Sequence, residues 1–385
     1  MRKLKGFSFK GKRVLVRCDF NVPLSPKGDI LDDFRIKETV PTIEYLVKKG
    51  AKVILMSHLG DPGGRILNDL KLDSIQDRLM EYLDLSVVKA QDCIGLDIEE
   101  WTRHMLPGEI LLLENLRFHK GEKNADRNFA RKLSRLGDIF VQDAFGTCHR
   151  PHASIALLPK ILPSGMGFLL EKEINALSKL LKKIKRPLAA IVGGVKFSTK
   201  IGAIEYFCKK ADFTLLGGHI ANILLKARGI KMGSVLPNGM MIKDIKKTFL
   251  FKAEVRLPVD FSVAIPGQKK KVVRKVGGVQ PKERAFDIGP QTIRNFSEII
   301  KKAQTIFWNG PLGKIEEPGF DRGTKEIAKT IVKNKKAFEV VGGGDTVSAI
   351  SKFNLRETFD HVSTGGGAML DFLAGKRLPG LAVLE

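Results

Sequence analysis

Short apolar, β-branched runs alternate with longer amphipathic segments along nearly the whole chain. This alternation confines the chain to mostly parallel sheets covered by helices on both faces. Val14–Val16, Val53–Met56, Ile110–Leu113 and Ile139–Gln142 read as strands, and Glu38–Lys48, Ser74–Tyr82 and Asp126–Leu136 as helices. The pattern resumes after Lys185. Strands are expected at Ala189–Val192, Phe213–Leu216, Thr305–Trp308, Phe338–Val341 and His361–Ser363. Helices are expected at Thr199–Lys209, Ile220–Ala227, Pro290–Lys302, Thr324–Lys333 and Val347–Ser351. Between the two series, Leu170–Leu181 has apolar residues at helical spacing, which predicts one helix joining two α/β halves. The chain has 385 residues, more than one ordinary hydrophobic core holds, so two domains follow.

Charge narrows the partners. Lys and Arg total 66 against 42 Asp and Glu, a net charge of +24. Such an excess suits nucleic acid, an acidic membrane surface or small polyanionic substrates. The lysines are dispersed, as in Lys182–Lys183, Lys301–Lys302 and Lys335–Lys336, and the longest block is Lys269–Lys271. Dispersed charge of this kind is a solvated surface. With 7% aromatic residues and no basic–aromatic motif, no obligate nucleic-acid partner is expected, and nucleic-acid binding stands only as an alternative side role. Heat-adapted proteins also carry Lys-rich surfaces, but acidic residues rise with them there, and here they lag. Cys18, Cys93, Cys148 and Cys208 are scattered with no C-x-x-C pair, which fits a reducing compartment. The basic start has no apolar run behind it, and no stretch reaches the roughly 18 apolar residues of a membrane span. The expected location is the cytoplasm, with no membrane partner.

Ligands of open parallel sheets bind beyond the carboxyl ends of the strands. In the first half these ends carry Arg17-Cys18-Asp19-Phe20-Asn21, Ser57-His58-Leu59-Gly60, Glu114-Asn115-Leu116-Arg117-Phe118-His119 and Asp143 to Arg150. The first of these holds a hydroxyl or carboxylate well and forms a plain turn equally well. With Arg35 near a helix start, Arg17, Arg35, Arg117, Arg150, His58 and His149 gather at or near strand ends. Arginine forks pair bidentately with phosphate and carboxylate, so this half predicts a site for a small phosphorylated acid. Cys148-His149-Arg150-Pro151-His152 matches no common zinc spacing and lacks a second ligand pair.

The second half places glycine at strand-to-helix junctions. Gly193-Gly194 precedes Lys196 and Lys200, Gly342-Gly343-Gly344 precedes Asp345-Thr346, and Gly365-Gly366-Gly367 follows another strand. Trp308-Asn309-Gly310-Pro311-Leu312-Gly313 is a tight turn. Glycine lets a phosphate approach the backbone, and a helix N-terminus favours the anion. No G-x-x-x-x-G-K-[ST] occurs, and no G-x-G-x-x-G stands in a βαβ setting, which argues against a P-loop and against nicotinamide binding. A nucleotide is expected here, with the Asp345 carboxylate placed to reach a metal.

Together the strings VRCDFNVP, LENLRFH, DAFGTCHRPHAS, VGGVKFSTKI, FWNGPLG, VVGGGDT and STGGGAMLDFLAGKRLPG closely resemble the phosphoglycerate kinase family, in the family's order and over nearly the whole chain. The resemblance implies two Rossmann-like α/β domains joined by a helix and hinge: residues 1–166 for 3-phosphoglycerate, a linking helix at 167–184, 185–362 for nucleotide, and 363–385 returning to the first domain. It implies reversible phosphoryl transfer between ATP and 3-phosphoglycerate, giving ADP and 1,3-bisphosphoglycerate, with Mg2+ as cofactor and a monomer as the working form. By the same resemblance, Asp19, Phe20, Asn21, Arg35, His58, Leu59, Gly60, Asp61, Arg117 and Arg150 hold the triose acid. Lys196, Lys200, Asn309, Glu316, Gly343, Gly344, Asp345 and Thr346 hold nucleotide, with Asp345 near the metal and Arg35 and Lys200 catalytic.

Three departures stand out. The family reads SHLGRP where this chain has Ser57-His58-Leu59-Gly60-Asp61-Pro62, so a carboxylate replaces an arginine. Either Arg65 compensates or 3-phosphoglycerate binds more weakly, and a catalytically impaired relative is the alternative this raises. His219 stands in the family's GGGMA segment, crowding the nucleotide, and Arg284-Ala285-Phe286-Asp287 replaces WMGLD, which bears on base preference.

Overall fold

A computed structural model describes residues 1–198, 200–234, 239–251, 253–268 and 270–385. Thr199 of the expected helix and Lys269 of the lysine block lie outside these. The chain divides into two compact units, 1–175 with 376–385, and 176–375. The helix Phe168–Lys182 is therefore shared between them, and residues 363–375, expected to return to the first domain, belong to the second unit. The return begins at Lys376.

The first unit holds a six-stranded sheet: β1 (Arg13–Arg17), β2 (Lys52–Met56), β3 (Val87–Lys89), β4 (Ile110–Leu112), β5 (Ile139–Gln142) and β6 (Ser164–Met166), in the order β3-β4-β2-β1-β5-β6. Every pairing is parallel. Because successive side chains leave opposite faces, the inner strands β1, β2, β4 and β5 each feed two cores. Val14, Val16, Val53, Leu55, Ile110 and Leu112 pack with Ile36, Ile43, Ile75 and Leu79 of the helices Phe34–Lys48 and Asp73–Leu83. Leu15, Ile54, Met56, Leu111 and Phe140 pack on the other face with Ile98, Phe129 and Leu133. This two-sided burial is why the strands read as continuous apolar runs.

The second unit holds a five-stranded parallel sheet: β7 (Leu188–Val192), β8 (Phe213–Leu216), β12 (Thr305–Asn309), β13 (Phe338–Gly342) and β14 (His361–Ser363), in the order β14-β13-β12-β7-β8. A separate antiparallel sheet, β10-β9-β11, comprises β9 (Asp260–Ala264), β10 (Val272–Lys275) and β11 (Arg284–Ile288). Lys182, Lys183, Lys301, Lys302, Lys335 and Lys336 are all exposed, as a solvated charge requires. Among the described residues no helix is long and apolar enough to cross a membrane.

Candidate active site

In the first unit, β1, β2, β4 and β5 deliver their carboxyl-end residues to one edge. The Arg35 Nη1 donates to Asn21 O at 3.0 Å and lies 3.2 Å from Asp19 Oδ2. Asn21 Oδ1 accepts from Gly60 N at 2.9 Å, and Gly60 O accepts from Arg117 Nη1 at 2.7 Å. Asn115 ties the same loops by donating to Leu59 O and Leu70 O. Phe20 and Leu59 are buried beneath this edge, and Arg150 is exposed. One buried atom there, the Arg117 Nε, has no hydrogen-bond partner among the described residues.

Arg17 has a different place from the other arginines. It is fully buried, and its guanidinium donates to Ser154 Oγ at 2.9 Å, to Cys18 O, and to His58 Nδ1 at 3.2 Å. Glu122, also fully buried, accepts from Ser154 N and Oγ and lies 3.9 Å from Arg17. Sequence reasoning placed Arg17 among the strand-end arginines but missed Glu122 and Ser154, which sit far along the chain. An arginine has donors only, so Nδ1 of His58 accepts and its proton sits on Nε2. Burial, followed by the charges of Arg17, Arg117 and Arg35, pushes the His58 imidazole well below its ordinary range. His58 is therefore a neutral donor, and the arginines converge on it. Burial and then Arg117, Arg17, Arg150 and Lys123 push His152 down to about 4.

The cation that meets Asp61 is Lys123 rather than Arg65: its Nζ lies 2.8 Å from both carboxylate oxygens. That hydrogen bond, ahead of the smaller opposing effect of burial, lowers the Asp61 carboxyl below its ordinary range. Both side chains are largely exposed, so the pair adds little stability.

In the second unit, glycine stands just beyond the carboxyl end of each of the five parallel strands: Gly193, Gly217, Gly310, Gly343 and Gly365. Three of these turns interlock through backbone bonds. Gly193 N donates to Asn309 O, Gly194 N to Pro311 O at 2.8 Å and Gly218 N to Leu312 O at 3.1 Å. A Cβ on Gly193 would stand 2.2 Å from Pro311 O, which explains the glycine. Beside them lies a cavity of about 310 Å3. Phe261, Phe286, Ala285 and Leu312 make it apolar, while Glu316 and Asp345 put carboxylates on its wall. His219, expected to crowd the nucleotide, lines this cavity, as do Arg284 and Asp287. Burial lifts the Asp287 carboxyl to about 7.

The remaining expected nucleotide ligands take distinct places. Lys200 donates from Nζ to Gly193 O at 2.7 Å, and burial pulls its ammonium down to about 8 while the Asp345 charge opposes that shift. Lys196 is exposed. Asn309 is buried, donates from Nδ2 to Gly342 O, and has an Oδ1 with no hydrogen-bond partner among the described residues. Thr346 is buried, and its hydroxyl accepts from Gly310 N at 2.6 Å. Gly343 has a φ of 99°, a conformation that only glycine takes without strain, and Gly344 opens the helix Gly344–Lys352. Asp345 follows in the first turn of that helix.

An arginine-rich sheet edge on one α/β unit, with a glycine-built cavity on the other, defines the class of small-molecule kinases made of two such units. The phosphoglycerate kinase family matches residues 4–376. The phosphoglycerate kinase of Pelotomaculum thermopropionicum is 45% identical over 391 residues, covering 100% of this chain and 98% of the relative. That of Borrelia turicatae is 46% identical over 392 residues, covering 100% and 99%. Among solved structures, phosphoglycerate kinase from Pyrococcus horikoshii OT3 superimposes with a TM-score of 0.87 at 33% identity, covering 100% of this chain and 98% of that one. The enzyme from Coxiella burnetii gives 0.85 at 36% identity with the same coverage. The chain belongs to the phosphoglycerate kinase family.

Proposed function

We infer that this chain is a phosphoglycerate kinase that transfers a phosphoryl group reversibly between ATP and 3-phosphoglycerate, giving ADP and 1,3-bisphosphoglycerate in glycolysis and gluconeogenesis. The observation that carries the reading is the pairing, in a chain of this family throughout, of a basic sheet edge around a neutral histidine with a glycine-built cavity rimmed by carboxylates. Arg35, Arg117 and Arg150 neutralise the triose acid, and His58 donates Nε2–H to it. Asp19, Phe20, Asn21, Leu59, Gly60 and Asp61 shape and orient that edge. The apolar cavity takes the base, Glu316 accepts from a ribose hydroxyl, and Lys196, Lys200, Gly343 and Gly344 face the phosphates. Asn309 and Thr346 act by holding the turns that carry those glycines.

The acceptor is a carboxylate oxygen of 3-phosphoglycerate. It forms the new bond to the terminal phosphorus as the bond from that phosphorus to the ADP oxygen breaks, in line and with no covalent enzyme intermediate. Catalysis is then positioning and charge stabilisation. Arg35 and Lys200 are the cations that stabilise the negative charge spreading over the equatorial oxygens of the transferring group. Lys200, titrating at about 8, is mostly protonated at pH 7, and an approaching phosphate raises its pKa further. The exposed Asp345 carboxylate on the cavity wall is a hard oxygen donor that fits Mg2+. Held there with the nucleotide, Mg2+ would offset the phosphate charge. The working form is a monomer in the cytoplasm, a placement supported by four cysteines that are all free thiols.

Arg35→Ala and Lys200→Ala test the assignment. Each should lower kcat by roughly 100-fold or more, by analogy with other charge-stabilising groups. Near-normal turnover in either variant overturns it.

A further inference from the structure

We propose that Asp92, Cys93 and His119 form a binding site for a borderline-soft divalent cation of the zinc class, separate from the groups that serve phosphoryl transfer. The topology brings the three together. β3 and β4 are parallel neighbours, and the chain leaving β3 stays docked on the chain leaving β4 through Ala90 N to Leu112 O at 2.9 Å and Glu114 N to Asp92 O at 3.3 Å. Asp92 and Cys93 are thereby fixed beside His119, which follows the short turn Leu116–Phe118. One ligand atom from each of the three lies within 4.8 Å of the other two.

A thiol, an imidazole and a carboxylate are a zinc-type donor set, and three protein ligands leave a fourth position for water. Around a tetrahedral cation such ligand atoms stand roughly 3.3–3.8 Å apart. The His119 Nε2 to Asp92 Oδ1 contact, now 2.6 Å, must open by about 0.7 Å to admit the ion. Asp92 can make that adjustment because its side chain is 46% exposed. The other two ligands are held in place. Cys93 is buried in the core, and the His119 ring packs on Phe129 with centroids 5.4 Å apart. A depression of about 380 Å3 lined by His119 and Ile94 adjoins the cluster on its His119 side. Burial first, then the Asp92 and Glu122 carboxylates, hold the Cys93 thiol well above its ordinary range, so it ionises only against an entering cation; the two carboxylates favour that cation, while Lys120 and Lys132 on the depression oppose it. On binding, the ion displaces the Cys93 thiol proton and the His119 Nε2 proton that faces the Asp92 carboxylate; both leave to solvent, the ring's one remaining proton stands on Nδ1, and the ion takes the freed Nε2 lone pair.

The test is equilibrium dialysis of nucleotide-free, metal-free protein against Co2+ and then Zn2+. The expected result is one equivalent of Co2+ with tetrahedral absorption bands and a near-ultraviolet thiolate-to-cobalt charge-transfer band, all displaced by Zn2+. Cys93→Ser should abolish the charge-transfer band, and Cys208→Ser should leave it intact. His119→Gln should weaken Co2+ binding about tenfold or more, the scale on which metal-site partners act. Absence of a charge-transfer band in the unsubstituted protein overturns the proposal, as does a band that survives Cys93→Ser. Should Cys93→Ser not fold, the partly exposed positions decide: unchanged Co2+ affinity in His119→Gln and Asp92→Asn also overturns it.

Discussion

The two units place their candidate sites at the same position, the carboxyl edge of a parallel sheet, but build them from opposite materials. The first uses side chains. Its strand ends carry Asp19, His58, Arg117 and, on the next helix, Arg35, and a buried layer of Arg17, Ser154 and Glu122 beneath them sets their geometry and balances charge. The second uses backbone. Its strand ends carry glycine, and Gly193 and Gly218 approach the Pro311 turn so closely that a Cβ on either would stand 2.2 or 2.9 Å from Pro311 O. A side-chain site fails when charge is unbalanced, and a backbone site fails when volume is added.

That contrast can be broken from either side. The largest effect is expected from Gly193→Val. Its Cβ would meet Pro311 O at 2.2 Å, and a displaced turn should weaken nucleotide binding by about 100-fold, the scale of a 1 Å misplacement. Calorimetry should show 3-phosphoglycerate binding unchanged in the same variant. Glu122→Ala comes next, because it leaves the fully buried Arg17 without its carboxylate. Stability should fall by about 3 kcal/mol or more, read from denaturant midpoints, whereas a loss below about 1 kcal/mol would show that the other Arg17 partners suffice.

Folded His152 titrates at about 4, whereas an unfolded histidine titrates at about 6.5. Between those values the unfolded chain binds the extra proton, so stability falls as pH drops from about 6.5 to about 4. The slope contributed is at most about 1.4 kcal/mol per pH unit, and His152→Gln should flatten it. An identical slope in the variant would remove His152 from the account. The smallest effect belongs to Asp61→Arg. The Asp61–Lys123 pair is exposed, so stability should change by less than about 1 kcal/mol, while KM for 3-phosphoglycerate falls. An unchanged KM would place residue 61 outside the substrate's reach.

Strands buried on both faces were the most legible part of the fold, because burial on both sides leaves an unbroken apolar run. β5, β8 and β14 stand at the expected residues, β1, β2, β7, β12 and β13 gain one or two, and β4 loses one. β3 and β6 escaped, being three-residue edge strands, Val87–Lys89 with an exposed centre and Ser164–Met166 with hardly an apolar run. The antiparallel β9–β11 sheet escaped too, since β10 alternates half-buried and exposed residues without a strong apolar face. The helix Phe34–Lys48 starts a full turn before the expected Glu38, which puts Arg35 inside it. Strand-end chemistry was legible because topology forces it to one edge. The layer beneath was not. Glu122 reaches Arg17 across more than a hundred residues, and Lys123 reaches Asp61 across sixty-two, distances that no local pattern spans.

The most direct measurement is a coupled assay of the purified protein with ATP, Mg2+ and 3-phosphoglycerate, in which a dehydrogenase reduces the product and NADH loss is followed. The expected result is turnover that vanishes when either Mg2+ or 3-phosphoglycerate is omitted. Nucleotide binding without turnover would contradict it, and would mean that the basic edge bearing Asp61 no longer presents 3-phosphoglycerate for transfer.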